Sequence, residues 1–132
     1  MSTGESRTGT ILVAEDQSAM RELVKDILES VGYKVISVVD GEAAVATYIE
    51  RESEIDLVIL DMIMPRLGGG EAFRKLKSVN PGVLVLISSG YNHDENAQRL
   101  LNEGVAGFLG KPFQVGELVE KVRQVLDRKT KS

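Results

Sequence analysis

Cysteine is absent from all 132 residues. Disulfides, thiolate metal sites and a thiol nucleophile are therefore excluded, and the composition agrees with a reducing compartment. Nor does any apolar run approach the roughly 18–20 residues that a membrane-spanning helix needs. The stretch from Met1 to Thr10 is polar and lacks the apolar core of a secretion signal. Positive charge is not in excess either. The formal net charge is −4, and the basic footprint of a nucleic-acid-binding surface is missing. There is one histidine, His93, read as a solvated loop residue. Internal repeats, low-complexity stretches and linkers are also lacking. What is present is a hydrophobic content of 42%, enough for a real core, in a length that fits one domain. The expectation is a soluble, cytoplasmic domain over residues 10–128. It touches neither membrane nor nucleic acid directly, and frayed tails lie at 1–9 and 129–132.

Short apolar runs alternate with amphipathic stretches along the chain. Thr10 to Ala14 has strand length and ends in the acidic pair Glu15-Asp16. Leu23, Val24, Ile27, Leu28 and Val31 recur at helical steps of three and four, and Gly32 fits the stop of that helix. Lys34 to Val39 reads as a second strand. Asp40 can cap a second helix with Ala44, Val45, Tyr48 and Ile49 on one face. Leu57 to Leu60 is continuously apolar, as a strand covered on both faces should be. A third helix, Gly69 to Val79, turns Ala72, Phe73, Leu76 and Val79 inward and stops at Asn80-Pro81-Gly82. Val83 to Ser88, Asp94 to Glu103, Ala106 to Leu109 and Gln114 to Arg128 read as strand, helix, strand and helix. The last helix carries a stripe of Val115, Leu118, Val119, Val122, Val125 and Leu126. Five strands alternating with five helices predict an α/β three-layer sandwich around a parallel sheet. With strand order 2-1-3-4-5, a flavodoxin-like arrangement, ligands bind beyond the carboxyl ends of strands one and three.

Chemistry gathers at those ends. Glu15 and Asp16 follow strand one, Asp61 follows strand three, Ser89 follows strand four and Lys111 follows strand five. Each residue alone has an ordinary reading, as a solvated strand end, a turn residue or a surface lysine. Together they place like-charged carboxylates where a cation is needed to hold them, and hard oxygen donors suit Mg2+. Asp61 can be both ligand and nucleophile, because carboxylates form acyl phosphates. Phosphoryl transfer needs charge cancelled on the phosphoryl oxygens more than it needs acid–base groups. The metal, Lys111 and the Ser89 hydroxyl with a backbone N–H would take one oxygen each.

Four segments carry a resemblance: ILVAEDQ (Ile11 to Gln17), LVILDMIMPRLGG (Leu57 to Gly69), ISSGY (Ile87 to Tyr91) and GFLGKPF (Gly107 to Phe113). In order and spacing the chain from Thr10 to Arg128 resembles the receiver domain of bacterial two-component response regulators. The resemblance implies that Asp61 accepts a phosphoryl group from a histidine kinase or a histidine phosphotransfer domain. It makes Asp16 a direct ligand of Mg2+, Glu15 an acidic partner acting through water, and the carbonyl of Ile63 a further protein ligand. Lys111 matches the family's lysine, and Lys111-Pro112 falls where the family has a cis peptide. Ser89 matches the switch hydroxyl, with Ser88 the alternative if the loop carries an insertion. Phe108 matches the aromatic that turns inward with it. Effectors would read the face built by helix four, strand five and helix five, where helix four looks the least tightly packed. A kinase would dock near helix one and the loop after strand five. The domain itself would be a phosphoacceptor rather than an enzyme acting on an external substrate.

Some residues depart from the family pattern. Glu15 stands where aspartate is common. Ile63 and Tyr91 are bulky where many members carry polar groups that help water reach the phosphoryl, which implies slow self-dephosphorylation. The Gly-rich stretch after Asp61 and the ISSGY turn lean towards receivers fused to hybrid kinases, with a stand-alone receiver the alternative. Three rival readings fit the residues less well. A phosphatase of the haloacid dehalogenase type wants an aspartate where Ile63 stands. A flavin mononucleotide binder would have its phosphate repelled by Glu15-Asp16. A degenerate receiver, binding partners without phosphorylation, would have no need of the full set of groups.

Overall fold

The computed structural model describes residues 8–90 and 95–131, with the side chains of 95, 96 and 129–131 left aside. Ten elements alternate: β1 (Thr10–Ala14), α1 (Ser18–Ser30), β2 (Lys34–Val38), α2 (Gly41–Arg51), β3 (Leu57–Asp61), α3 (Gly69–Val79), β4 (Val85–Ser89), α4 (Glu95–Glu103), β5 (Gly107–Gly110) and α5 (Val115–Lys131). All strand pairs are parallel, in the order β2-β1-β3-β4-β5.

Side chains on successive strand residues point to opposite faces of a sheet, and that alternation sorts the core into two layers. Leu12, Ala14, Val58, Leu60, Val85 and Ile87 face α2, α3 and α4, where they meet Tyr48, Phe73, Leu76 and Leu100. Ile11, Val13, Leu57, Ile59 and Leu86 face α1 and α5, where they meet Val24, Leu28, Leu118, Val122 and Val125. β3 is buried along its whole length, which is why its sequence shows no polar alternation. Asp40 caps α2 as its chemistry demands: its Oδ1 accepts the Ala43 N–H at 2.8 Å. α1 closes on Gly32, whose φ of 108° only glycine adopts without strain.

Several sequence expectations shift. Ile49, Val79 and Val115 are exposed at 57, 39 and 56%, not turned inward, and Leu23 of the α1 pattern is 48% exposed. Each sits on the margin or at the end of its helix's apolar stripe, and its neighbours Val24, Tyr48, Leu76 and Leu118 fill the core instead. β2 stops at Val38, and Val39 is exposed. β4 and β5 start later than their apolar runs and end one residue further on, at Ser89 and Gly110. Gly9 is already paired, its carbonyl accepting the Lys34 N–H at 2.9 Å. α5 continues through Lys131, past the expected end at Arg128. Tyr91, His93 and Asp94 lie outside the described residues.

The end of α4 is more firmly held than its polar sequence suggests. Arg74 of α3 forms a two-pronged pair with Glu103, at 2.8 and 3.1 Å. Lys77 donates to the Glu103 carbonyl at 2.7 Å, completing from outside the helix a terminus whose last carbonyls lack internal partners.

Candidate phosphoryl and metal site

Each strand delivers its functional residue at its carboxyl end. Glu15 leaves β1 with its N–H held by the Val38 carbonyl at 3.1 Å, and its side chain is folded inward. Asp16, next in the chain, is exposed. Asp61 is the last residue of β3 and buried. Ser89 is the last residue of β4, and its carbonyl accepts the Lys111 N–H at 2.8 Å. The Lys111-Pro112 peptide is cis.

These residues converge. Carboxylate oxygens of Glu15, Asp16 and Asp61 all lie within 4.8 Å of one another. Lys111 Nζ sits between two of them, 3.1 Å from Glu15 Oε1 and 3.2 Å from Asp61 Oδ1. Asp16, Asp61, Ile63, Ser89 and Lys111 share one open cleft of about 350 Å3. Glu15 is buried behind Lys111, its second oxygen accepting the Gln17 N–H at 3.1 Å.

Strand parity separates Ser88 from Ser89. Ser88 follows Leu86 in facing α1 and α5 and lines a crevice with Glu15 and Phe113. Ser89 follows Val85 and Ile87 on the other face and opens into the cleft. Phe108 is paired in register with Ile87. It packs half-buried against the core layer of that same face, so hydroxyl and aromatic share one side of the sheet.

Three carboxylates against one ammonium leave the cluster net negative. Burial raises the Glu15 pKa above the ordinary carboxylate range. The Gln17 N–H and Lys111 pull it down, but Asp61's charge adds to the rise. Burial alone would lower Lys111, yet its bond to Glu15 and the charge of Asp61 outweigh that and raise it. Hard oxygen donors at this spacing, with uncompensated negative charge and an open cleft for water, fit a Mg2+ ion.

Some supporting residues escaped the sequence reading. Arg21, in the first turn of α1, reaches back to the carbonyls of Glu15 at 2.8 Å and Asp16 at 3.4 Å. Arg66 adopts φ 72° in the loop after Asp61, inside a three-residue turn closed by Leu67 N–H to the Pro65 carbonyl at 2.8 Å. Its guanidinium lies 3.5 Å from Asp40. Gly69 packs so closely on β3 that a Cβ there would lie 2.6 Å from the Asp61 carbonyl. The triple glycine Gly68-Gly69-Gly70 was the available signal for that approach; nothing in the local pattern marks Arg21.

The model of the response regulator receiver domain matches residues 11–123. The sensor kinase CckA of Brucella abortus is 32% identical over 126 residues, covering 96% of this chain but 13% of the kinase. The chemotaxis protein CheY of Thermotoga maritima is 28% identical over 116 residues, covering 87% of this chain and 95% of that protein. Among solved structures, a response regulator receiver domain protein from Clostridium thermocellum superposes with a TM-score of 0.88 at 30% identity, covering 92% and 97% of the two chains.

Proposed function

We propose, from the premise that this chain belongs to the response regulator receiver domain family, that it works by accepting a phosphoryl group on Asp61. The observation that carries this is Lys111 Nζ within 3.2 Å of Asp61, beside an acidic cluster in an open cleft. The donor is a phosphohistidine of a kinase or phosphotransfer domain. An Asp61 carboxylate oxygen attacks phosphorus, the O–P bond forms and the N–P bond breaks. The electron pair stays on the departing imidazole, which takes up a proton.

The residues divide the work. Asp16, Asp61 and the Ile63 carbonyl would hold Mg2+, with Glu15 acting through water, and the bound ion would supply positive charge to the phosphoryl oxygens. Lys111 gives a second positive contact, and the cleft already aims it at the acceptor carboxylate. Ser89, buried but lining the same cleft, donates its hydroxyl to the product. Drawing Ser89 in frees space for Phe108, on the same sheet face, to move inward. Phosphorylation thereby shifts an equilibrium between two arrangements of the α4-β5-α5 face, which effectors read. The domain serves as a switch and catalyses only its own phosphorylation and slow dephosphorylation. The identity to a sensor kinase favours a place within a hybrid kinase in the cytoplasm. No helix among the described residues is long and apolar enough to cross a membrane.

The test is incubation with acetyl phosphate and Mg2+, followed by intact mass. One added phosphoryl group is expected, absent without Mg2+ and absent in Asp61→Ala. No adduct, or an adduct that survives Asp61→Ala, would overturn the reading.

A further inference from the structure

We propose that Arg21 is a positioning residue for the Mg2+ site, acting through the backbone of the turn that carries Glu15 and Asp16. The inference rests on the reading of that cluster as a Mg2+ site.

The turn between β1 and α1 has three residues, Glu15, Asp16 and Gln17. Its two acidic members are restrained very differently. Glu15 is buried, its N–H is held by Val38, and its carboxylate is held by Lys111 and by the Gln17 N–H. Asp16 is exposed, so packing does little to direct it. The Arg21 guanidinium bonds the carbonyls on both sides of the Asp16 N–H and Cα, 2.8 Å to Glu15 and 3.4 Å to Asp16. Fixing two successive carbonyls fixes two peptide planes. It thereby fixes the direction in which the Asp16 Cα–Cβ bond leaves the turn. Arg21 is itself anchored, since it lies in the first turn of α1 with its own N–H on the Gln17 carbonyl at 2.9 Å. A helix that packs on the core through Val24, Ile27 and Leu28 thus sets the aim of an exposed carboxylate. α1 has no side-chain cap, and the arginine supplies hydrogen bonds from this helix to the turn.

The charge of Arg21 makes the idea decidable. A cation beside an acidic cluster repels Mg2+. If Arg21 did nothing but contribute charge, its removal would tighten Mg2+ binding. If it positions Asp16, its removal weakens binding despite the relief of repulsion. The sign of the change separates the two roles.

The experiment is a calorimetric Mg2+ titration of the unphosphorylated chain, with thermal melts as a check of folding. Groups that orient metal ligands typically change metal affinity by about tenfold or more when removed, so Arg21→Ala should weaken Mg2+ by about that factor. Arg21→Lys keeps the charge and one donor and should fall between. Lys25→Ala, one turn further along the same helix, removes an equal charge without touching the turn, and should leave affinity unchanged or slightly tighter. In phosphoryl uptake from acetyl phosphate, Arg21→Ala should need more Mg2+ for half-maximal rate while reaching nearly the same rate at saturation. If Arg21→Ala lowers the melting temperature too far to titrate, Arg21→Lys carries the test alone. Unchanged or tighter binding in the arginine variants would overturn the proposal while leaving the Mg2+ site intact. Absence of binding in the unsubstituted chain would overturn the site reading itself, and this inference with it.

Discussion

Replacing Lys111 by methionine keeps the length and apolar stem of the side chain and removes only its charge. The ammonium lies 3.1 Å from Glu15 and 3.2 Å from Asp61, and the side chains of those carboxylates are only 4% and 11% exposed. At an effective dielectric of about 20, each contact is a gross attraction of about 5 kcal/mol. Most of that is offset by the cost of desolvating the ammonium, and breaking a fully buried pair typically costs about 3–5 kcal/mol. Lys111 is 22% exposed, and Glu15, whose pKa is raised, can relax by taking up a proton. The net loss is therefore set lower, at about 1–3 kcal/mol near neutral pH without Mg2+. For a domain of this size that is a fall in Tm of about 3–15 °C.

The pH dependence follows from Glu15. Its folded pKa is raised, so its contribution to stability is full below the ordinary carboxylate range and is lost as pH rises through the raised value. Lys111→Met removes two influences that lower that pKa, so the variant's Glu15 titrates higher still. The gap in Tm between the two proteins should be full at about pH 7 and shrink towards about pH 4 as Glu15 becomes protonated in both. Mg2+ should also narrow it, by replacing the lost positive charge. Thermal melts over pH, with and without Mg2+, read all three effects. A constant gap under every condition would refute the electrostatic reasoning and point to lost packing.

Asp16→Asn should act in the opposite direction. It relieves repulsion in the net-negative cluster, so the metal-free protein should gain about 0.5–1 kcal/mol and lose the Mg2+-induced rise in Tm; melts with and without Mg2+ check this. Gly41→Ala should destabilise, because a Cβ there would land on the Leu67 carbonyl and side chain in the loop after Asp61. The helical gain of about 1 kcal/mol is smaller than an overpacking cost of about 1–3 kcal/mol, and urea unfolding would reveal the sign. Ile63 is 73% exposed at the cleft; Ile63→Asn should shorten the life of the phosphorylated form by admitting and orienting water. An unchanged lifetime, measured by decay of the mass adduct, would remove Ile63 as the shield.

The sheet order was legible because the pattern of runs is strong: Leu57–Leu60 and Val85–Ile87 are apolar without interruption, and crossovers of about helix length leave few topologies. Glu15, Asp16, Asp61 and Lys111 were legible because strand ends can be read from where apolar runs stop. Ser89 needed more. Only the register of β4 shows that Ser89, and not Ser88, opens to the cleft, and the apolar run continued too far back to give parity by itself. Helix margins were misread at Ile49, Val79 and Val115, since a stripe has no sharp edge until a neighbour covers it. Arg21 and the Arg66 turn were invisible for a different reason. A long side chain bonding backbone carbonyls leaves no spacing signature, and a positive φ at a residue other than glycine is set by its surroundings.

On the proposed reading Asp61 alone of the three clustered carboxylates receives the phosphoryl group, although all three serve the metal. Borohydride reduction of the phosphorylated chain converts an aspartyl phosphate to homoserine, and peptide mass then gives its position. Homoserine at position 61 alone, and only when Mg2+ was present during phosphorylation, is the predicted result. Reduction at position 15 or 16, or none in a chain that carries the adduct, would contradict it.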